Sequence, residues 1–160
     1  MVLNTAARIP HAQSEPKRVS ILGATGSIGD STLNVISQHA QQFFITALTA
    51  QDNVEKLIQL AHLHRPALVA IGNPDHYTAL KNALSGTGIH CAAGRAALNE
   101  AAALTTDFTV CAMVGAAGLI PAMTAITHGK TVAVANKETL VCAGELVMAA
   151  CNQHGTTLLP

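Results

Sequence analysis

From Arg18 onward, short apolar runs alternate with stretches whose apolar residues recur at helical spacing. Seven runs have the length and composition of strands: Val19–Leu22, Phe44–Ala50, Ala67–Ile71, Ile89–Ala92, Phe108–Met113, Thr131–Ala135 and Thr156–Leu159. Between them lie helical patterns. Within Ile28–His39, residues Ile28, Leu33, Val35 and Ile36 are expected to share one apolar face, and Val54, Leu57, Ile58 and Ala61 keep the i, i+3, i+4, i+7 repeat. The alanine-rich segments Ala96–Ala103 and Ala143–Ala150 suit helices that pack close to a sheet. Asn73-Pro74-Asp75 signals a helix start. His128-Gly129 signals a helix end, with the glycine expected in the left-handed conformation that closes many helices.

Strands alternating with helices imply right-handed βαβ crossovers. The expected fold class is therefore α/β, one doubly wound domain over residues 18–160. Its sheet is mostly parallel, of about seven strands, with helices on both faces. Residues 1–17, through Lys17, show no periodicity and read as a flexible N-terminal extension without the apolar stretch of a secretory signal.

Composition narrows the function. Nine Lys and Arg balance nine Asp and Glu, and only 2% of residues are aromatic, so neither a basic surface nor a stacking platform for nucleic acid is present. Hydrophobic residues make up 49% of the chain against 11% charged, which excludes a disordered chain. No apolar run approaches the roughly 20 residues of a membrane span. Cys91, Cys111, Cys142 and Cys151 form no CxxC pair and are read as core residues of a cytoplasmic protein.

The strongest local motif is Gly23-Ala24-Thr25-Gly26-Ser27-Ile28-Gly29, directly after the first strand and opening a helix. A phosphate cradle needs one glycine for the turn, one for close backbone approach to a pyrophosphate and one for helix–strand packing. The spacing here is GxxGxxG, a variant of the Rossmann-type pattern. Amides of Thr25, Gly26, Ser27 and Ile28 are the expected phosphate contacts, aided by the positive end of the helix. After the second strand, Gln51, Asp52 and Asn53 stand where a dinucleotide's adenosine ribose is met. An acidic residue there favours NAD and a basic one NADP. Asp52, 23 residues past Gly29, either faces the ribose or caps the helix beginning at Val54; Asn53 suits ribose or phosphate oxygens.

Two later segments follow the same logic. Gly115-Ala116-Ala117-Gly118-Leu119-Ile120-Pro121 follows the fifth strand, and Ala135-Asn136-Lys137-Glu138-Thr139-Leu140 follows the sixth. Open α/β sheets bind ligands beyond the carboxyl ends of their strands, which places Asn136, Lys137 and Glu138 at the ligand edge.

In order, ILGATGSIGDSTLNVI, VGAAGLIPAMTAI, ANKETLV and HGTTLLP resemble the 1-deoxy-D-xylulose 5-phosphate reductoisomerase family over nearly all of residues 19–160. The resemblance implies reductive rearrangement of a ketose phosphate to 2-C-methyl-D-erythritol 4-phosphate, using NADPH and a divalent metal (Mg or Mn), on the non-mevalonate route to isoprenoids. It implies NADPH contacts at Thr25, Gly26, Ser27, Ile28, Gln51, Asn53, Asn136 and Glu138, a substrate contact at Lys137, and a homodimer for the intact enzyme. Two departures stand out. Asp52 occupies a place where members of the family often carry Lys or Arg, and the chain ends at Pro160, ahead of the family's acidic Val-Asp-Ser-Glu metal segment. The expectation is a cofactor-binding fragment that binds without turnover. It holds no catalytic set and no metal site of its own, the catalytic and C-terminal domains being absent.

Other readings remain. An independent small NAD(P)-dependent dehydrogenase would use a Tyr-x-x-x-Lys pair, which Tyr77 and Lys81 match in spacing. Aspartate-semialdehyde dehydrogenase shares a GATG-type loop but needs an Asn-Cys-Thr setting that no cysteine here has. His62 and His64, two apart on a helix, face different directions and make no metal pair.

Overall fold

The computed structural model describes residues 15–135 and 137–159. In chain order the elements are β1 (Lys17–Leu22), α1 (Ser27–Gln38), β2 (Phe43–Ala50), α2 (Val54–His64) and β3 (Leu68–Ile71). A 3-10 turn at Pro74–His76 leads into α3 (Tyr77–Ala83), followed by β4 (His90–Ala93), α4 (Arg95–Ala102) and β5 (Phe108–Cys111). A second 3-10 turn, Ala116–Gly118, opens α5 (Leu119–His128), then come β6 (Thr131–Val134), α6 (Lys137–His154) and β7 (Thr157–Leu159). All seven expected strands form. They make one parallel sheet in the order β4-β3-β2-β1-β5-β6-β7.

The two sheet faces bury separate cores, because successive strand residues point to opposite sides. On one face Val19, Ile21, Leu48, Val69 and Ile71 meet Leu33 and Ile36 of α1, Leu57 of α2 and Leu80 of α3. On the other, Leu22, Ala70, Cys111 and Val132 meet Leu98 of α4, Ile126 of α5 and Val147 of α6. The strand order reverses between β1 and β5, and that reversal opens the crevice at which doubly wound sheets bind ligands.

Several expectations are corrected. Residues 1–14 of the expected extension lie outside the described residues, but its last residue, Lys17, already belongs to β1: Lys17 and Arg18 pair with Phe43 and Phe44, and the Lys17 amide donates to Gln42 O at 2.8 Å. Ile28 and Val35 do not join the core face of α1 but stand 46% and 55% exposed. They line, with Phe108, Val110, Ala133 and Leu159, a cavity of about 770 Å³ beside β5–β7. Leu33, Ile36 and Gly29 form the buried stripe instead, at the i, i+3 and i+4 spacings that 100° per residue imposes. Gly129 is extended (φ −98°, ψ 158°) rather than left-handed, since the chain enters β6 at once; a Cβ there would lie 3.0 Å from Ala125 O. Cys111 and Cys151 are buried and Cys91 half-buried, but Cys142 is exposed. On α6 it sits one position away from the inward series Ala143, Val147 and Cys151. Among the described residues no helix is long and apolar enough to cross a membrane.

Candidate functional site

The glycine loop leaves β1 through Gly23, whose φ of +94° is the left-handed region that glycine tolerates. A Cβ at Gly23 would lie 2.7 Å from Ala112 O, so this glycine also lets the loop pack on the β5 exit. The loop is pinned to β2 by Thr49, which is fully buried: the Gly23 amide donates to Thr49 Oγ1 at 3.0 Å and the Ala24 amide to Thr49 O at 2.7 Å. Gly29 is pressed against the Ala24 backbone, where a Cβ would come within 2.6 Å of Ala24 C. Gly26 differs. It caps α1 with φ −86° and ψ 173°, angles open to any residue, and a Cβ on it would meet nothing closer than Gly23 O at 3.6 Å. Its bareness serves no contact within the protein and keeps the mouth of the loop clear.

The first intrahelical bond of α1 is Asp30 N–H to Gly26 O at 2.9 Å, so the amides of Ser27, Ile28 and Gly29 lie ahead of it. Gly26, Ser27 and Ile28 are exposed, Thr25 half-buried. Their carbonyls face the other way: Thr25 O accepts from Lys56 Nζ at 3.0 Å, and Ser27 O and Ile28 O accept the hydroxyls of Ser31 and Thr32. Lys56 also pairs with Asp30 across the α1–α2 gap. The result is a set of amides at a positive helix end, with an open approach. That arrangement fits an oxyanion such as a dinucleotide diphosphate.

At the β2 exit, Gln51, Asp52 and Asn53 are all exposed. Asn53, not Asp52, caps α2, its Oδ1 accepting the Lys56 amide at 3.1 Å. The helix starts at Val54, so the residue directly before it has the capping geometry. Asp52 turns to the neighbouring crossover, accepting from Asn73 Nδ2 at 3.1 Å. Gln51 lies against Gly72 and borders a cavity of about 390 Å³ shared with Arg95, Asn99, Ile120 and Pro121. The structure therefore brings Thr25, Gly26, Ser27, Ile28, Gln51 and Asn53 to one edge of the sheet, at the ends of β1 and β2.

Beyond β6, Asn136 lies outside the described residues, and Lys137 is described only as the first residue of α6. Glu138 is exposed in the first turn of that helix, across the β1–β5 reversal from the loop at the β2 exit. Tyr77 and Lys81 face each other on α3, with Nζ 5.6 Å from the ring centre, on the crossover from β3 to the edge strand β4 and away from the reversal. No group of three or more His, Cys, Asp or Glu that could hold a metal ion occurs among the described residues, so no step here is routed through one.

Sequence reasoning missed Thr49, Lys56 and Arg95. Thr49 reads as an ordinary strand residue. Lys56 had a signal, a cation in the first turn of the helix that follows the β2 exit. Arg95 had the same signal after β4.

The family described as 1-deoxy-D-xylulose 5-phosphate reductoisomerase matches residues 19–144. The reductoisomerase of Zymomonas mobilis is 48% identical over 147 residues, 92% of this chain and 38% of that protein. That of Rhodospirillum centenum is 44% identical over the whole chain and 40% of its own length. The solved structure of the Zymomonas mobilis protein in complex with NADPH superposes with a TM-score of 0.89 at 48% identity, covering 92% of this chain and 39% of that one. A reductoisomerase complex with NADPH, fosmidomycin and magnesium matches with a TM-score of 0.84 at 42% identity, covering 90% and 36%. The chain thus spans 36–40% of the length of these relatives.

Proposed function

Because the chain belongs to the 1-deoxy-D-xylulose 5-phosphate reductoisomerase family, we propose that residues 18–160 are its NADPH-binding unit and that they bind the cofactor without turning over substrate. The observation that carries this reading is Gly26: an unstrained glycine with open space before it, at the start of α1, flanked by two glycines that the protein's own packing requires. Thr25, Gly26, Ser27 and Ile28 border the diphosphate, which the open amides of residues 27–29 hold, the Gly26 amide being already donated to Gly23 O. Gln51 and the donor half of the Asn53 amide meet the adenosine ribose, since Oδ1 of Asn53 is committed to its cap. Asn136 and Glu138 border the nicotinamide end, and Lys137 offers its charge to the substrate. The cofactor supplies a hydride, and the protein supplies binding and orientation.

In the intact enzyme the reaction converts 1-deoxy-D-xylulose 5-phosphate to 2-C-methyl-D-erythritol 4-phosphate in isoprenoid biosynthesis, with a divalent metal (Mg or Mn), as a cytoplasmic homodimer. Those assignments rest on the family and on the motifs at the sheet edge. Calorimetric titration with NADPH, paired with a turnover assay on 1-deoxy-D-xylulose 5-phosphate plus Mg²⁺, tests the reading. Saturable NADPH binding with no consumption is expected. Consumption of NADPH coupled to substrate would overturn the no-turnover assignment, and absence of binding would overturn the cofactor assignment.

A further inference from the structure

An all-parallel sheet starts every crossover helix at its carboxyl edge, so a cation in a first helical turn stands at the ligand edge. Among the described residues three such cations occur: Lys56 in α2, Arg95 in α4 and Lys137 in α6. Lys137 follows β6, on the far side of the β1–β5 reversal from the β2 exit. At the β2 exit itself stands Asp52, whose carboxylate repels a ribose 2′-phosphate. If this edge takes NADPH rather than NADH, Lys56 and Arg95 are the first-turn cations on the β2 side of the reversal that can supply the compensating charge.

The structure separates the two. Lys56 is already committed, with Nζ bonded to Thr25 O at 3.0 Å and paired with Asp30, so its charge is neutralised and turned toward the back of the glycine loop. Arg95 is exposed and makes no ion pair among the described residues. It lines the 390 Å³ cavity whose other wall includes Gln51, the first residue past β2. Leu98, Ile120 and Pro121 give that cavity an apolar side suited to an adenine ring, and Asn99 a polar one. An arginine's planar fork of donors matches a phosphate well.

We propose that Arg95 is the residue that discriminates NADPH from NADH in this chain, facing the adenosine 2′-phosphate from the cavity it shares with Gln51. The inference rests on the cofactor reading above. A charge-assisted contact of this kind corresponds to roughly ten- to a hundredfold in affinity.

The test titrates the chain, Arg95→Met, Arg95→Lys and Lys56→Met with NADPH and with NADH, with thermal melting as a control for folding. The expected result is preference for NADPH in the unaltered chain. Arg95→Met should lose at least about tenfold toward NADPH with NADH affinity unchanged, and Arg95→Lys should retain part of the preference. Lys56→Met should weaken both cofactors alike, through the loop it supports. Undiminished NADPH preference in Arg95→Met, or its selective loss in Lys56→Met, would overturn the role of Arg95 while leaving the cofactor reading intact. Equal binding of both cofactors by the unaltered chain would do the same. Binding of neither would overturn both.

Discussion

Gly26 caps α1 and Gly29 stands three residues on, in its first turn, and alanine should have opposite effects at the two. At Gly29 a Cβ would lie 2.6 Å from Ala24 C and 2.7 Å from Ala24 Cα. Carbon atoms rest about 3.5–4.0 Å apart, so α1 must move by about 1 Å against a backbone that has no rotamer to yield. Overpacking costs about 1–3 kcal/mol, and an unyielding neighbour puts this site near the upper end. Alanine recovers about 1 kcal/mol in helix propensity. The net loss is about 2 kcal/mol, a fall in Tm of roughly 4–8 °C for a chain of this size. At Gly26 the nearest atom to a new Cβ is 3.6 Å away and the backbone angles are ordinary. Alanine is a poorer cap by about 0.5–1 kcal/mol, offset by about 0.4–1 kcal/mol of lost unfolded-state entropy. Stability should hold, while the methyl group occupies the approach to the amides of residues 27–29 and lowers NADPH affinity at least about tenfold. Thermal melting and calorimetric titration of both variants read the two effects separately. A Gly26→Ala chain that binds NADPH as tightly as the unaltered one would refute the phosphate-cradle reading, and a Gly29→Ala chain with unchanged Tm would refute the packing argument.

Three further outcomes are expected. Thr49→Val removes the hydroxyl that accepts the Gly23 amide, which keeps Thr49 O at 3.2 Å as its other acceptor, and should cost about 0.5–1.5 kcal/mol, read as a lower urea midpoint together with weaker NADPH binding. The Asp107 carboxyl is held below its usual range, first by the hydrogen bond from Lys130 and then by that from the Arg18 amide. A carboxylate whose folded pKa is depressed stabilises the fold above its ordinary value of 3.8, and that contribution is lost as pH falls through the folded value. Asp107→Asn should therefore flatten the acid limb of the stability profile below about pH 4, and an identical limb in the variant would contradict the pairing. Burial pushes the Cys111 thiol up to about 12, whereas Cys142 is exposed. Iodoacetamide mapping of the native chain should find Cys142 modified and Cys111 protected until unfolding; early modification of Cys111 would place it wrongly.

The parts of the fold that follow a strict physical requirement are legible in the sequence. Parallel strands buried on both faces read as continuous apolar runs, and all seven were placed, with ends shifted by one or two residues. The glycine loop is legible because a left-handed turn at Gly23 and the tight contact at Gly29 admit little else. Details decided by tertiary surroundings are not. Whether Asp52 or Asn53 caps α2 depends on where the first turn begins and on Asn73, 21 residues away. Ile28 and Val35 carry core-like side chains, and only the open space beside β5–β7 shows that they leave the core. Lys56 and Arg95 look like ordinary surface cations until the crossovers bring one under the glycine loop and the other opposite Gln51.

Hydrogen exchange of the chain with and without saturating NADPH tests the central claim most directly. The account predicts slowed exchange at the amides of residues 23–30 and 51–54, with α3 unchanged. NADPH binding that left residues 23–30 exchanging at their unliganded rates would contradict it.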